Sequence, residues 1–88
     1  MHTVDLLEQA LAAARRLGWR VREDWLDGNG GGTCYIKGQK WIFLDLAQSA
    51  QEHLAVACEA LAAEAATAGP QPAWSDELRA LVRARKAA

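Results

Sequence analysis

The chain has 88 residues, of which 51% are hydrophobic and 24% charged, and its formal net charge at pH 7 is -1. This composition is typical of one small globular domain, and the near-neutral charge argues against nucleic-acid or membrane binding driven by overall charge. No apolar run approaches the roughly 20 residues of a membrane-spanning helix, and the first residues lack the order of a signal peptide. A cytoplasmic protein is therefore expected.

Apolar residues at spacings of three and four predict a first helix over residues 3–17. Thr3 stands where a capping side chain is needed, and Arg15 and Arg16 suit the negative end of the helix dipole. Gly18 supplies the left-handed residue that commonly ends a helix.

The pattern changes to a period of two at Trp19, and a three-stranded sheet is predicted within residues 19–46. In the first strand, Trp19, Val21 and Trp25 alternate with polar residues, which indicates one face in the core and one in water. The glycine-rich residues 28–32 predict a flexible connection. They lead into a strand with no Lys-Ser/Thr pair after them, so a phosphate-binding loop is not predicted.

The second and third strands are predicted to form a hairpin whose two-residue loop is Gly38 and Gln39. In the second strand, Cys34 is predicted to face the core and Tyr35 the opposite side. The third strand is apolar on both faces, which is typical of a central strand or of one covered twice. Its residues divide between the two faces as Ile42, Leu44 and Leu46 on one and Trp41 and Phe43 on the other.

Two helices are predicted to follow the sheet. Ser49 and Glu52 form the sequence of a capping box, which predicts a helix over residues 49–67. Residues 69–73 form a short linker with two prolines, and a second serine cap opens a last helix over residues 75–86. The order of elements predicts an α+β fold, a single domain in which helices cover an antiparallel or mixed sheet.

The run G-G-T-C-Y-I-K-G-Q-K-W-I-F-L-D, followed by the capped helix Q-E-H-L-A-V-A-C-E-A-L-A, lies within residues 31–62. This stretch resembles the core of the ImmA/IrrE-type zinc metallopeptidases of bacteria. In that family a glycine-led strand and an aliphatic strand ending in Asn or Asp, here Asp45, precede a helix with H-E-x-x-H. Its histidines bind zinc, and its glutamate polarises the bound water.

Laid onto this chain, the family motif places Cys58, Glu59 and Ala62 at the first histidine, the glutamate and the second histidine. The methyl group of Ala62 is no metal ligand, and the inverted H-x-x-E-H motif is absent. The resemblance therefore implies a zincin-like bacterial pseudoenzyme without catalytic residues, metal or other cofactor.

A metal or thiol site formed by Cys34, Cys58 and Glu59 is an open alternative, because both cysteines are predicted to face the core. His53 lies about 140° around the helix from Cys58 and is not expected to join it. A buried free cysteine usually behaves as a small apolar residue, which favours a purely structural role.

The aromatic residues suggest a surface for protein contacts. If helices cover one face of the sheet, Tyr35, Trp41 and Phe43 are expected on the other, where exposed aromatic side chains indicate a partner protein or a homodimer. Trp74 in the last helix is a further interface candidate. The alternative is that the last helix itself folds back over that face.

Weak nucleic-acid binding is the remaining alternative. Four arginines, Arg15, Arg16, Arg20 and Arg22, form a local basic patch that neighbouring aromatic residues could complete. The acidic residues that follow in the first strand and the overall charge balance argue against this function.

Overall fold

A computed structural model describes residues 2–27, 30–68 and 74–87 of the chain. The elements, in chain order, are α1 (His2–Arg16), β1 (Arg20–Asp24), β2 (Gly32–Ile36), β3 (Gln39–Asp45), α2 (Ala50–Ala68) and α3 (Asp76–Ala87). The predicted α+β class and the predicted order of elements are confirmed. The predicted linker, residues 69–73, lies outside the described residues.

The three strands form a mixed sheet with the order β1-β3-β2. β3 pairs in parallel with β1 and antiparallel with β2. The connection from β1 therefore crosses to the far edge of the sheet before the hairpin returns the chain to its centre. The central position of β3 agrees with the apolar character of both of its faces.

The turn of the β2–β3 hairpin consists of Lys37 and Gly38, since Ile36 pairs with Gln39. The predicted loop of Gly38 and Gln39 was wrong by one residue. Both turn residues have positive φ angles, 51° for Lys37 and 81° for Gly38, as a type I′ turn requires. Lys37 adopts this unfavourable conformation because the turn matches the twist of the flanking strands.

The helices lie on one face of the sheet. α1 contacts β1, α2 contacts β2 and β3, and α3 packs against α1 and α2. Ile42 and Leu44 are the fully buried apolar side chains of the central strand, and alanines with no exposed surface, such as Ala10 and Ala57, line the α1 and α2 sides of the core. These small side chains allow the two helices to approach each other closely.

Among the apolar residues predicted to face the core, Trp25 and Leu46 are exposed. Trp25 and Leu46 follow Asp24 and Asp45, the last residues of β1 and β3. The alternation of faces holds only within a strand, so it places neither residue once the chain has left the sheet.

The predicted caps at Ser49 and Ser75 are confirmed, whereas the prediction that Thr3 caps the first helix was wrong, because α1 begins at His2 and Thr3 lies within it. In the capping box the Ser49 amide donates to Glu52 Oε1 (3.2 Å), and the Glu52 amide donates to Ser49 Oγ (3.2 Å). At the start of α3, Ser75 Oγ accepts a hydrogen bond from the Leu78 amide (3.1 Å).

Candidate interaction surface

Strand register divides the sheet into a face beneath the helices and an open face. Residues in register on neighbouring strands project to the same side, and Trp41 is in register with Arg20 on β1 and Cys34 on β2. This side is opposite to that of the buried Ile42. Within the described residues α3 contacts only the other two helices, so it does not fold back over the open face.

Two stacked aromatic rings occupy the centre of the open face. The ring centroids of Trp41 and Phe43 lie 5.7 Å apart with an interplanar angle of 15°. The Arg20 guanidinium carbon lies 5.8 Å from the centroid of the Trp41 ring. Arg22, in register with Phe43, forms an ion pair with Asp24 (3.6 Å). The face therefore has an aromatic strip with charged side chains along one border.

The other two aromatic candidates lie elsewhere. Tyr35 is in register with Lys40 and shares the side of the helices, so the prediction that it joins Trp41 on one face was wrong. Its side chain is 67% exposed at the sheet edge, with its ring centroid 5.9 Å from that of Trp19. Trp74 is only 7% exposed and belongs to the core.

The structure does not bring the two cysteines together. Cys34 lies on the open face, in register with Trp41, whereas Cys58 is buried in the core with α2. The prediction that both face the core was wrong for Cys34, because Thr33 and Tyr35 are the residues of β2 on the helix side. Glu59 is exposed and forms an ion pair with Arg85 (3.4 Å).

The other side chains that could ligate a metal are not brought together either. His53 is buried, and its Nε2 donates to the backbone carbonyl of Asp45 (2.6 Å), which ties α2 to the end of β3. In the described ranges, no group of three or more His, Cys, Asp or Glu side chains is arranged to hold a metal ion.

Asp45 has a structural role that the sequence analysis missed. Its fully buried carboxylate accepts hydrogen bonds from the amides of Leu26 (3.2 Å), Gly30 (3.1 Å) and Ala47 (2.9 Å). One side chain thus fixes the segments after β1, before β2 and after β3. An acidic residue at the end of an otherwise apolar central strand is the signal that could have identified it.

The described end of the glycine-rich segment is held by side chains. The Gly30 amide donates to Asp45, and the Gly31 amide donates to Gln48 Oε1 (3.4 Å). These amides are therefore engaged within the protein and form no anion cradle. Gly28 and Asn29 lie outside the described residues.

A second polar cluster links the sheet to the helices. Lys40 forms an ion pair with Glu64 on α2, donates to the Leu17 carbonyl (2.7 Å) and lies 5.4 Å from the Trp19 ring centroid. Trp19 Nε1 also donates to Glu64 (3.2 Å). All of these contacts lie within the protein, so the cluster has a structural role and holds the sheet against α2.

The arginines of the predicted basic patch are all exposed. Arg15 and Arg16 lie in the last turn of α1, while Arg20 and Arg22 lie on the open face and contact Trp41 and Asp24. Nucleic-acid binding by these residues stays a prediction.

Cys58 lines a groove of about 340 Å³ between α2 and α3, together with Leu54, Leu81 and Arg85. Burial raises the pKa of its thiol, and the positive charge of Arg85 partly opposes that rise. A thiol in this state is a poor nucleophile near neutral pH because little thiolate is present.

We therefore expect Cys34 and Cys58 to differ in reactivity toward a thiol reagent such as 5,5′-dithiobis(2-nitrobenzoic acid) at pH 8. Cys34 should react in the native protein, and Cys58 should react only as the chain unfolds.

The folded-state pKa of Cys58 lies above the ordinary value of 9.0. The contribution of the buried Cys58 thiol to the free energy of unfolding is therefore fully present below pH 9.0, and it is lost as the pH rises through the folded-state pKa.

Cys58→Ala should remove this part of the alkaline loss of stability and leave the fast reaction of Cys34 unchanged. Equal rates at both thiols in the folded wild-type protein would contradict the prediction.

Comparison with known proteins adds no relative: no family model, curated protein or solved structure matches the chain. The resemblance to ImmA/IrrE-type metallopeptidases thus stays a prediction. None of the helices in the described ranges combines the length and apolar character that crossing a bilayer requires.

Proposed function

We propose that this chain is a non-catalytic, cytoplasmic protein-interaction module of bacterial origin, and that its contact surface is the open face of the sheet. The observation that carries the proposal is the stacked pair Trp41 and Phe43, which lies on the side of the sheet away from the helices. The chain would then be a degenerate zincin-like domain that retains the fold without the catalytic residues and acts through binding.

The composition of the open face supports this function. Interface centres are enriched in aromatic residues and arginine, and such residues dominate binding energies. Trp41 and Phe43 are half-buried, and a partner that covers their remaining exposed apolar area would remove it from water, which favours binding by about 25 cal/mol per Å². Arg20, held over the Trp41 ring, adds a donor for polar contacts at the border of the strip.

The residues at the family's catalytic positions support a non-catalytic role. Cys58 is buried with a raised pKa, Glu59 is paired with Arg85, and Ala62 has no ligand atom. A joint metal or thiol site with Cys34 has no support, because Cys34 lies on the opposite face of the sheet.

A paired substitution tests the open face. The variant Trp41→Thr/Phe43→Thr removes both rings and introduces threonine, a β-branched residue that suits a strand. The control Val4→Thr changes a side chain on α1 that is 53% exposed. Each tagged chain is used to capture proteins from an extract of the source organism, and any captured protein is then purified and titrated against the chain by calorimetry.

We expect wild type and the control to bind the same protein with equal affinity, and the double variant to bind it at least about tenfold more weakly, a difference of about 1.4 kcal/mol. Circular dichroism checks that all three chains are folded. Equal affinity of all three, or no specific binding by wild type, would refute the proposal.

A further inference from the structure

The two edges of the sheet differ sharply in charge. In β1, Arg20–Asp24, four of the five residues are charged (R-V-R-E-D), whereas β2, Gly32–Ile36, has no charged residue (G-T-C-Y-I). Charged side chains are a common means of preventing an edge strand from pairing with another chain. The β1 edge is protected in this way, and the β2 edge is not.

The hairpin determines which backbone groups of β2 point away from the sheet. In a two-residue turn the flanking residues Ile36 and Gln39 form a hydrogen-bonded pair, and such pairs alternate along an antiparallel ladder. Ile36, Cys34 and Gly32 therefore direct their amides and carbonyls toward β3. Thr33 and Tyr35 direct theirs outward, where no further strand lies among the described residues.

We propose that the β2 edge pairs with the β2 edge of a second copy of this chain. The inference rests on the proposed function in treating the chain as an interaction module, and it names the partner and the register. The strands run antiparallel about a two-fold axis at Cys34. Thr33 then forms hydrogen bonds with Tyr35 of the partner subunit, and Cys34 lies opposite Cys34 of the partner subunit.

Charge and shape favour a second copy over another ligand. Two uncharged strands meet without repulsion, and the two-fold axis places the small Thr33 beside the large ring of the partner's Tyr35. Tyr35 and Ile36, the exposed apolar side chains of β2, become covered. Since a five-residue strand buries little area, the dimer is of the weak class whose interfaces bury less than about 1,200 Å².

Pairing of this kind also joins the two open faces. Cys34 and Trp41 are in register on the same side, so each aromatic strip is continued across the two-fold axis by that of the partner subunit. The dimer would present one aromatic surface twice as wide as that of the monomer.

Disulfide cross-linking tests the register. Cys34 and Cys34 of the partner subunit form a non-hydrogen-bonded pair with Cα atoms about 4.5 Å apart, within the range that a disulfide spans. Oxidised glutathione is the oxidant: the two thiols lose two protons and two electrons and form one disulfide, and each glutathione disulfide consumed yields two reduced glutathiones. Cys58→Ala is the background, which leaves Cys34 as the reactive thiol.

We expect rapid formation of a Cys34-linked dimer that is at least about tenfold faster than in the collision control Val4→Cys/Cys34→Ser/Cys58→Ala, whose single thiol lies on α1. A mixed disulfide with glutathione and no dimer beyond the collision rate would overturn the proposed register.

Sedimentation velocity over a dilution series tests the dimer without oxidant. Thr33→Pro removes an outward amide and leaves the pairing with β3 intact, and Tyr35→Lys places a charge on the edge. Both should weaken dimerisation at least about tenfold, while Val4→Lys, with the same change of charge on α1, should dimerise like wild type. Circular dichroism verifies the fold of each variant.

A wild-type chain that stays monomeric at its highest soluble concentration would overturn the inference, as would a dimer that neither edge variant weakens. The two proposals fail separately. A monomeric chain whose partner binding depends on Trp41 and Phe43 keeps the proposed function, whereas an edge dimer without that dependence removes the open face as the partner site.

Discussion

Gly31→Ala is expected to destabilise the fold by about 3 kcal/mol or more, because the added methyl group has no room. A Cβ atom at Gly31 would lie 1.9 Å from the Phe43 carbonyl oxygen and 2.8 Å from its carbonyl carbon. Both atoms belong to the backbone of the central strand, so no side chain can rotate away. Either β3 must move or the start of β2 must separate from it.

Gly32→Ala is the matched control for this prediction. No atom lies within 4 Å of a Cβ at Gly32, and alanine suits a strand better than glycine, so its stability should stay within about 1 kcal/mol of wild type. Urea unfolding followed by circular dichroism measures both variants, and the midpoint should fall for Gly31→Ala without a change of slope. Similar midpoints for the two variants would show that the strands do not approach each other so closely.

Asp45→Ala is expected to cost about 3 kcal/mol or more, a large part of the stability of a domain this small. The substitution removes the acceptor of three backbone amides, those of Leu26, Gly30 and Ala47, and leaves them without this partner. Since these amides belong to three different segments, the connections at that end of the sheet should loosen together.

Asp45→Asn separates the loss of charge from the loss of shape. The asparagine amide keeps one acceptor oxygen. The loss of unfolding free energy in Asp45→Asn should therefore be about half of that in Asp45→Ala, because a neutral acceptor forms weaker hydrogen bonds than a carboxylate but still forms some. Urea unfolding gives the free energies, and hydrogen exchange of the Leu26, Gly30 and Ala47 amides reports the local effect. Unchanged exchange at these amides in Asp45→Ala would contradict the assigned role.

The sides of β2 were predictable in principle. A two-residue turn pairs even-numbered residues of β2 with odd-numbered residues of β3, whether the turn begins at Lys37 or at Gly38. Cys34 therefore shares a side with Trp41 and Phe43 in either case. The alternation within β2 alone predicts the wrong face, because it cannot rank the similarly apolar Cys34 and Tyr35.

Local sequence patterns were enough to predict the helices and strands of this protein and the central place of β3. The spacing of apolar residues located all three helices, the caps at Ser49 and Ser75 defined two helix starts, and the two apolar faces of β3 predicted its central place. These features depend on residues close together in the chain, so their physical basis can be read locally.

The features that join distant segments became visible only in the folded chain. The parallel pairing of β1 with β3, the three amides held by Asp45 and the burial of Trp74 all depend on contacts that no local pattern encodes. The open face arises in the same way: α3 packs on the other helices, and within the part of the chain that the structure describes no helix lies above Trp41 and Phe43.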